Sequence, residues 1–189
     1  MKKILFLTSR LPYPPDRGDK VRSHQFLNVL SSKYDVIPVS LYGLGDRRYV
    51  KEFTEAYPQA RVFYQSPLRM GLNLLLGLFS KRPLQVIIYR NPKMKSAIQG
   101  LIQEDNPTIY AFLIRMIEYV QDIKDCYRIA DLTDCISMEY ERRLDYLRWI
   151  HRFIYAFEAK RLRELEQSVS ALCDESWFIS AIDRNILGL

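Results

Sequence analysis

The chain has 189 residues, 48% of them hydrophobic and 26% charged, with a formal net charge of +6. A disordered chain would be poorer in apolar residues, and this length suits one α/β domain with a full core. No apolar run approaches the roughly 20 residues of a membrane-spanning helix. The basic residues are interleaved with acids, with no zinc-finger spacing or aromatic RNA-binding signature, so no specific nucleic-acid partner is expected.

Lys2 and Lys3 precede Ile4, Leu5, Phe6 and Leu7, and Thr8 ends the apolar run. A secretory signal needs roughly 7–15 apolar residues there, so the chain is expected in the cytoplasm. The four residues read instead as a strand buried on both faces of a parallel sheet. A proline-rich loop follows to Asp19. Val21, Phe26, Leu27 and Leu30 then recur at helical spacing, and residues 36–41 form a second β-branched run. Gly43 to Gly45 make a turn with Asp46 as a helix N-cap candidate. Val50, Phe53, Ala56 and Tyr57 mark a helical face, and 61–64 a third strand.

Residues 67–79 predict a helix with a broad apolar surface. Asn91 and Pro92 start another, with Met94, Ile98, Leu101 and Ile102 inward. Residues 108–112 predict a strand, 116–123 a helix and 128–132 a strand. From 137 to 172 the pattern is helical with dense mixed charge, Glu139 and Arg143 making an i,i+4 pair. Trp177 to Ile179 give a last short strand before a final helix. Strands alternating with helices at this spacing predict a doubly wound, Rossmann-like parallel α/β fold, one domain over 1–189. Cys126, Cys135 and Cys173 have no Cys-x-x-Cys spacing, which predicts buried, reduced thiols; no metal or cofactor is called for.

In such sheets ligands sit at the carboxyl ends of the strands. The loop after the first strand holds Arg17, Gly18, Asp19, Lys20 and Arg22. Gly18 would let a backbone approach a ligand, Asp19 could cap the helix, and the helix N-terminus would offer amides to an anion. The same residues would equally serve as a stiff connector with solvated charges. Arg115 and Asp134 follow later strands and fall at the same edge; a cap or a loop ion pair is the alternative for each. Asp131 is expected within its strand, held structurally. His24 and His151 form no metal constellation.

Residues 67–82 carry leucines and Phe79 flanked by Arg69, Lys81 and Arg82, the composition of an interfacial helix. Apolar positions all round the segment favour instead a helix buried against the sheet.

The stretch from Ile4 to Leu30, with Arg10-Leu11-Pro12-Tyr13-Pro14-Pro15-Asp16-Arg17-Gly18-Asp19-Lys20-Val21-Arg22-Ser23 at its centre, resembles the start of a group of bacterial sugar transferases. These are family-four members of the two-Rossmann-domain (GT-B) class, associated with exopolysaccharide and PEP-CTERM systems. Ile129 to Ser137, the Glu158-Ala159-Lys160-Arg161-Leu162 helix and Asp174 to Ser180 agree with it. The resemblance implies the N-terminal, acceptor-binding half of a retaining, metal-independent transferase, with the nucleotide-sugar half beyond Leu189 and little transfer by this chain alone. It implies substrate contacts from Arg17, Gly18, Asp19, Lys20, Arg22 and Arg115. Asp134 would take the catalytic position, where many members have a histidine. A lipid-linked or glycan acceptor is implied, with peripheral contact at the inner membrane face through 67–82. The alternative is a non-catalytic α/β module that binds a sugar or phosphorylated ligand.

Overall fold

A computed structural model describes residues 2–187, without the side chains of Ile150 and Ile186. The first strand, β1 (Lys3–Thr8), has Leu5, Phe6 and Leu7 fully buried. Its side chains alternate between two separate cores, as the period of two in a strand requires. Leu5 and Leu7 join Ile37, Val39, Ile109 and Leu132 on one face. Ile4 and Phe6 join Val36, Tyr110 and Phe112 on the other. A sheet covered on both faces explains why its strands are nearly continuous apolar runs.

Helix α1 (Gly18–Ser31) follows β1, and β2 (Asp35–Tyr42) pairs parallel with β1. A 3₁₀ turn (Leu44–Tyr49) and α2 (Val50–Ala56) lead into β3 (Arg61–Tyr64). Then come α3 (Pro67–Leu78), the single-turn α4 (Leu84–Ile87), α5 (Pro92–Asp105) and β4 (Thr108–Phe112). A second 3₁₀ turn (Ile114–Tyr119) precedes β5 (Arg128–Thr133). The chain ends with α6 (Ile136–Arg143), α7 (Trp149–Leu172), β6 (Glu175–Phe178) and α8 (Ala181–Ile186). The six strands are all parallel in the order β3-β2-β1-β4-β5-β6. This is the doubly wound, Rossmann-like arrangement, and its strand order reverses between β1 and β4.

The Asn91 cap forms as expected, its side chain accepting from the Lys93 and Met94 amides. Several local expectations are corrected. Asp46 is not an N-cap but the third residue of its 3₁₀ turn, accepting weakly from the Gly43 amide. Val21 points outward, because α1 turns Lys20, Ser23 and Leu27 to the sheet. Residues 116–123 form no α-helix: Ile114, Met116, Ile117 and Tyr119 are all buried, and a tight 3₁₀ turn packs that many apolar groups in a short connection. The stretch 137–172 is two α-helices, with a 3₁₀ turn (Leu144–Tyr146) following the first. Extended backbone at Leu147 and Arg148 separates them, and Ser137–Glu166 and Glu141–Arg163 bonds fold α6 back along α7.

The largest correction concerns α3. Gly77, against Leu84 and Ile87, is its one buried residue among those described, and its leucines face outward. The expectation of a helix packed on the sheet fails because α5 covers β2 and β3 with Met94 and Ile98, while α3 packs on α4 instead, through Gly77 against Leu84 and Ile87.

Candidate functional site

Among the described residues, a cavity of about 760 Å³ lies at the sheet edge against β6 and the start of α8, and two others open along the carboxyl ends of the central strands. The larger of these two, about 590 Å³, lies over the switch point, beside the ends of β1, β4 and β5. Arg10, Asp19, Arg22, Arg115, Asp134 and Glu139 supply its charges, and Gly18, Phe112, Leu113 and Ile179 are among its other lining residues. The second, about 430 Å³, lies beside β2 and takes in Arg10, Asp16, Arg17, Lys20, Asp46 and Arg48. Arg10 stands between them.

Asp131 organises the larger cavity from below. It lies on β5 with no exposed surface. Such a carboxylate is tolerated only when its lone pairs are filled. Arg22 on α1 donates to both oxygens at 3.1 and 3.3 Å, and the Tyr110 hydroxyl on β4 donates at 2.6 Å. The Thr133 amide and hydroxyl add bonds of 3.0 and 3.1 Å. One carboxylate thereby ties a helix to two strands. Burial, with the Asp131 charge alongside, pushes the Tyr110 phenol well above its ordinary value, so it remains a donor.

The two Thr133 bonds also explain its backbone. Thr133 sits at φ 65° and Leu113 at φ 71°. A positive φ at a β-branched residue is strained. The Asp131 side chain holds Thr133 in that turn, and the Asp131 carbonyl accepts the Leu113 amide at 2.7 Å. Both strained residues line the cavity, so the chain bends sharply where β4 and β5 end and exposes its edge to a ligand.

Of the residues expected from sequence, Gly18, Asp19, Arg22, Arg115 and Asp134 come together around the larger cavity. Arg17 and Lys20 do not; they line the second. Lys20 is buried, and its ammonium is neutralised by Asp46 at 2.8 Å and Asp16 at 3.3 Å. Its charge stabilises the loop rather than waiting for an anion. Asp19 is not the N-cap of α1, which is Arg17 with no side-chain cap bond among the described residues. From within the first turn its carboxylate accepts from the Lys20 amide at 3.1 Å and from Arg10 at 3.0 Å. Gly18 opens the helix without a left-handed backbone, and a Cβ there would meet nothing within 4 Å. Its value is therefore open space, not conformational freedom.

Arg115 is aimed by a relay. Its Nε donates to Gln85 at 3.0 Å, and its guanidinium lies over the Tyr89 ring. Gln85 in turn donates to Tyr140 through its side chain and to the buried Glu158 through its amide. Asp134 lies at the cavity wall. Partial desolvation, with repulsion from Asp183, raises its pKa, while Arg22 opposes the shift. A more basic carboxylate accepts a hydrogen bond from a hydroxyl more strongly.

Arg10 and Gln85 were missed in the sequence. Arg10 had a readable signal, since it follows β1 directly at the binding edge. Gln85 had none, because its role depends on α4 meeting α7. Among the described residues no group of three or more His, Cys, Asp or Glu side chains could hold a metal ion. No protein-family model, curated protein or solved structure matches the chain.

Proposed function

We propose that the cavity over the switch point binds the acceptor of a sugar transferase, with this chain as the acceptor-side wall of the reaction cleft. The observation that carries the reading is the balance of its lining: Arg10, Arg22 and Arg115 against Asp19, Asp134 and Glu139, around Phe112, Leu113 and Ile179. A site for a phosphate alone would carry excess positive charge. Charges of both signs in equal number beside apolar side chains suit a neutral polyol, whose hydroxyls need both donors and acceptors and whose C–H faces need apolar contact. Position at the switch point and the loop's resemblance to family-four transferases support the same choice.

In this reading Arg115 and Arg22 donate to acceptor oxygens. Asp134 accepts from the reacting hydroxyl, orienting it and drawing off its proton as the glycosidic bond forms. The Gly18 and Asp19 amides at the start of α1 face the diphosphate of a nucleotide sugar brought by a donor-binding domain, where negative charge builds as the leaving group departs. No step is assigned to a metal or cofactor.

Saturation-transfer NMR of the chain with methyl glycosides of glucose, galactose, mannose and N-acetylglucosamine, and with methyl phosphate, whose methyl protons report binding, as the anionic control, tests this. Transfer to at least one glycoside, weakened in Arg115→Ala, is expected. Binding of phosphate alone would replace the sugar reading with a phosphate site.

A further inference from the structure

The outward face of α3 is a stripe of leucines ending at Phe79. Leu68, Leu72, Leu75, Leu76 and Phe79 follow i, i+4, i+7, i+8 and i+11 spacing; Leu76 is 73% exposed and Phe79 95%. The first half of α7 bears a second stripe, Trp149, Phe153 and Phe157, with Trp149 78% and Phe153 75% exposed. The two meet. Arg161 donates to the carbonyls of Leu78 and Ser80 at the end of α3, while its guanidinium covers Phe157 at 4.1 Å. Leu78, Phe79, Lys81, Phe157, Lys160 and Glu164 then line one shallow depression. Single exposed hydrophobic residues are ordinary, but two joined stripes of leucine and aromatic side chains are an interaction surface.

Its charges select the occupant. Lys81 and Lys160 stand in the depression, and Arg148 and Arg152 are exposed beside Trp149 and Phe153. A second copy of the chain, packed two-fold on this face, would set these cations against themselves. An anionic bilayer satisfies both features: apolar side chains enter the boundary between headgroups and acyl chains, and lysine and arginine meet lipid phosphates. We infer that the joined faces of α3 and the first half of α7 form a peripheral docking surface for an anionic phospholipid membrane.

This surface stands independently of any reaction, yet it adjoins the cavity. Gln85 bonds to Glu158 of α7 on one side and to Arg115 of the cavity wall on the other.

Co-sedimentation of the 189-residue chain with phosphatidylglycerol-rich or pure phosphatidylcholine vesicles tests the inference, alongside sedimentation velocity without lipid. The comparison variants are Leu76→Asp/Phe79→Asp and Lys81→Glu/Lys160→Glu. All four side chains are exposed, so circular dichroism should be unchanged in both. The expected result is binding to the anionic vesicles about 10-fold or more tighter than to the neutral ones, weakening with salt and falling about 10-fold in each variant. Three outcomes overturn it: no binding to anionic vesicles at low salt, binding unaffected by both variants, or a wild-type dimer that the leucine–phenylalanine variant dissolves.

Discussion

The guanidinium of Arg22 and the carboxylate of Asp131 pair at 3.1 Å, though 109 positions separate them in the chain. Arg22 reaches from α1 past β4 to β5, so the pair closes the gap that the reversal of strand order opens at the carboxyl edge. It is also the floor of the candidate site, which makes the fold's stability and the site's shape one problem.

Removing either partner should cost stability unequally. Asp131→Ala strips the buried Tyr110 hydroxyl of its acceptor and releases the strained Thr133 turn, a loss of about 3–5 kcal/mol for a broken buried pair. Arg22→Ala leaves three donors on Asp131, and Arg22 is a quarter exposed, so about 1–3 kcal/mol is expected. Urea denaturation of both single variants and the double should show the double losing less than the sum, by about 1–2 kcal/mol. Strict additivity would mean that the pair is not coupled.

Gly18 separates structure from function. Its Cβ position is open and it begins α1, so Gly18→Ala should leave stability unchanged or raise it by about 0.5 kcal/mol through helix propensity. Gly18→Val, projecting two methyl groups beside the cavity, should weaken sugar binding about 10-fold or more while the protein stays folded. A thermal melt and a saturation-transfer titration on the same samples check both halves.

The buried Glu166 sets a pH signature. Burial raises its carboxyl above the ordinary glutamate value, only partly offset by donors from Ser137 and Cys135. The folded chain then holds this proton to higher pH than the unfolded chain. Its stabilising contribution is complete below the ordinary value and is lost as pH rises through the raised one. As pH rises above the ordinary glutamate value, the fall in melting temperature assigned to this group should disappear in Glu166→Gln. Parallel curves for the two proteins would refute the assignment.

The thiols should be inert in the folded chain. Cys126, Cys135 and Cys173 are buried and free, burial raises all three, and Cys173 is pushed up to about 11. Thiolate is the reacting form, so Ellman's reagent should find no fast thiol in the native protein and all three after unfolding. A fast native thiol would contradict the packing around it.

Much of this architecture was legible in the sequence because buried parallel strands advertise themselves. Runs such as Ile4 to Leu7 and Thr108 to Phe112 have few other uses, and their spacing implies crossover helices. The site was half legible. Gly18, Arg22, Arg115 and Asp134 could be placed at the right edge from strand ends alone. Which way a charge turns could not: Lys20 and Arg22 lie two residues apart on α1, so they point to different sides of it. One is consumed by Asp16 and Asp46, while the other reaches Asp131. The exposure of α3 was misread for a related reason, since only the tertiary fold shows that α5 covers the sheet there and that α3 packs on α4 instead.

Whether the cavity over the switch point receives a sugar is read from amide NMR shifts mapped during titration with the methyl glycoside giving the strongest saturation transfer. Shifts should concentrate at Gly18, Asp19, Leu113, Arg115, Thr133 and Asp134, and be lost in Gly18→Val. Shifts confined to the second cavity, around Arg17, Gly45 and Arg48, or persisting unchanged in Gly18→Val, would contradict a sugar site over the switch point.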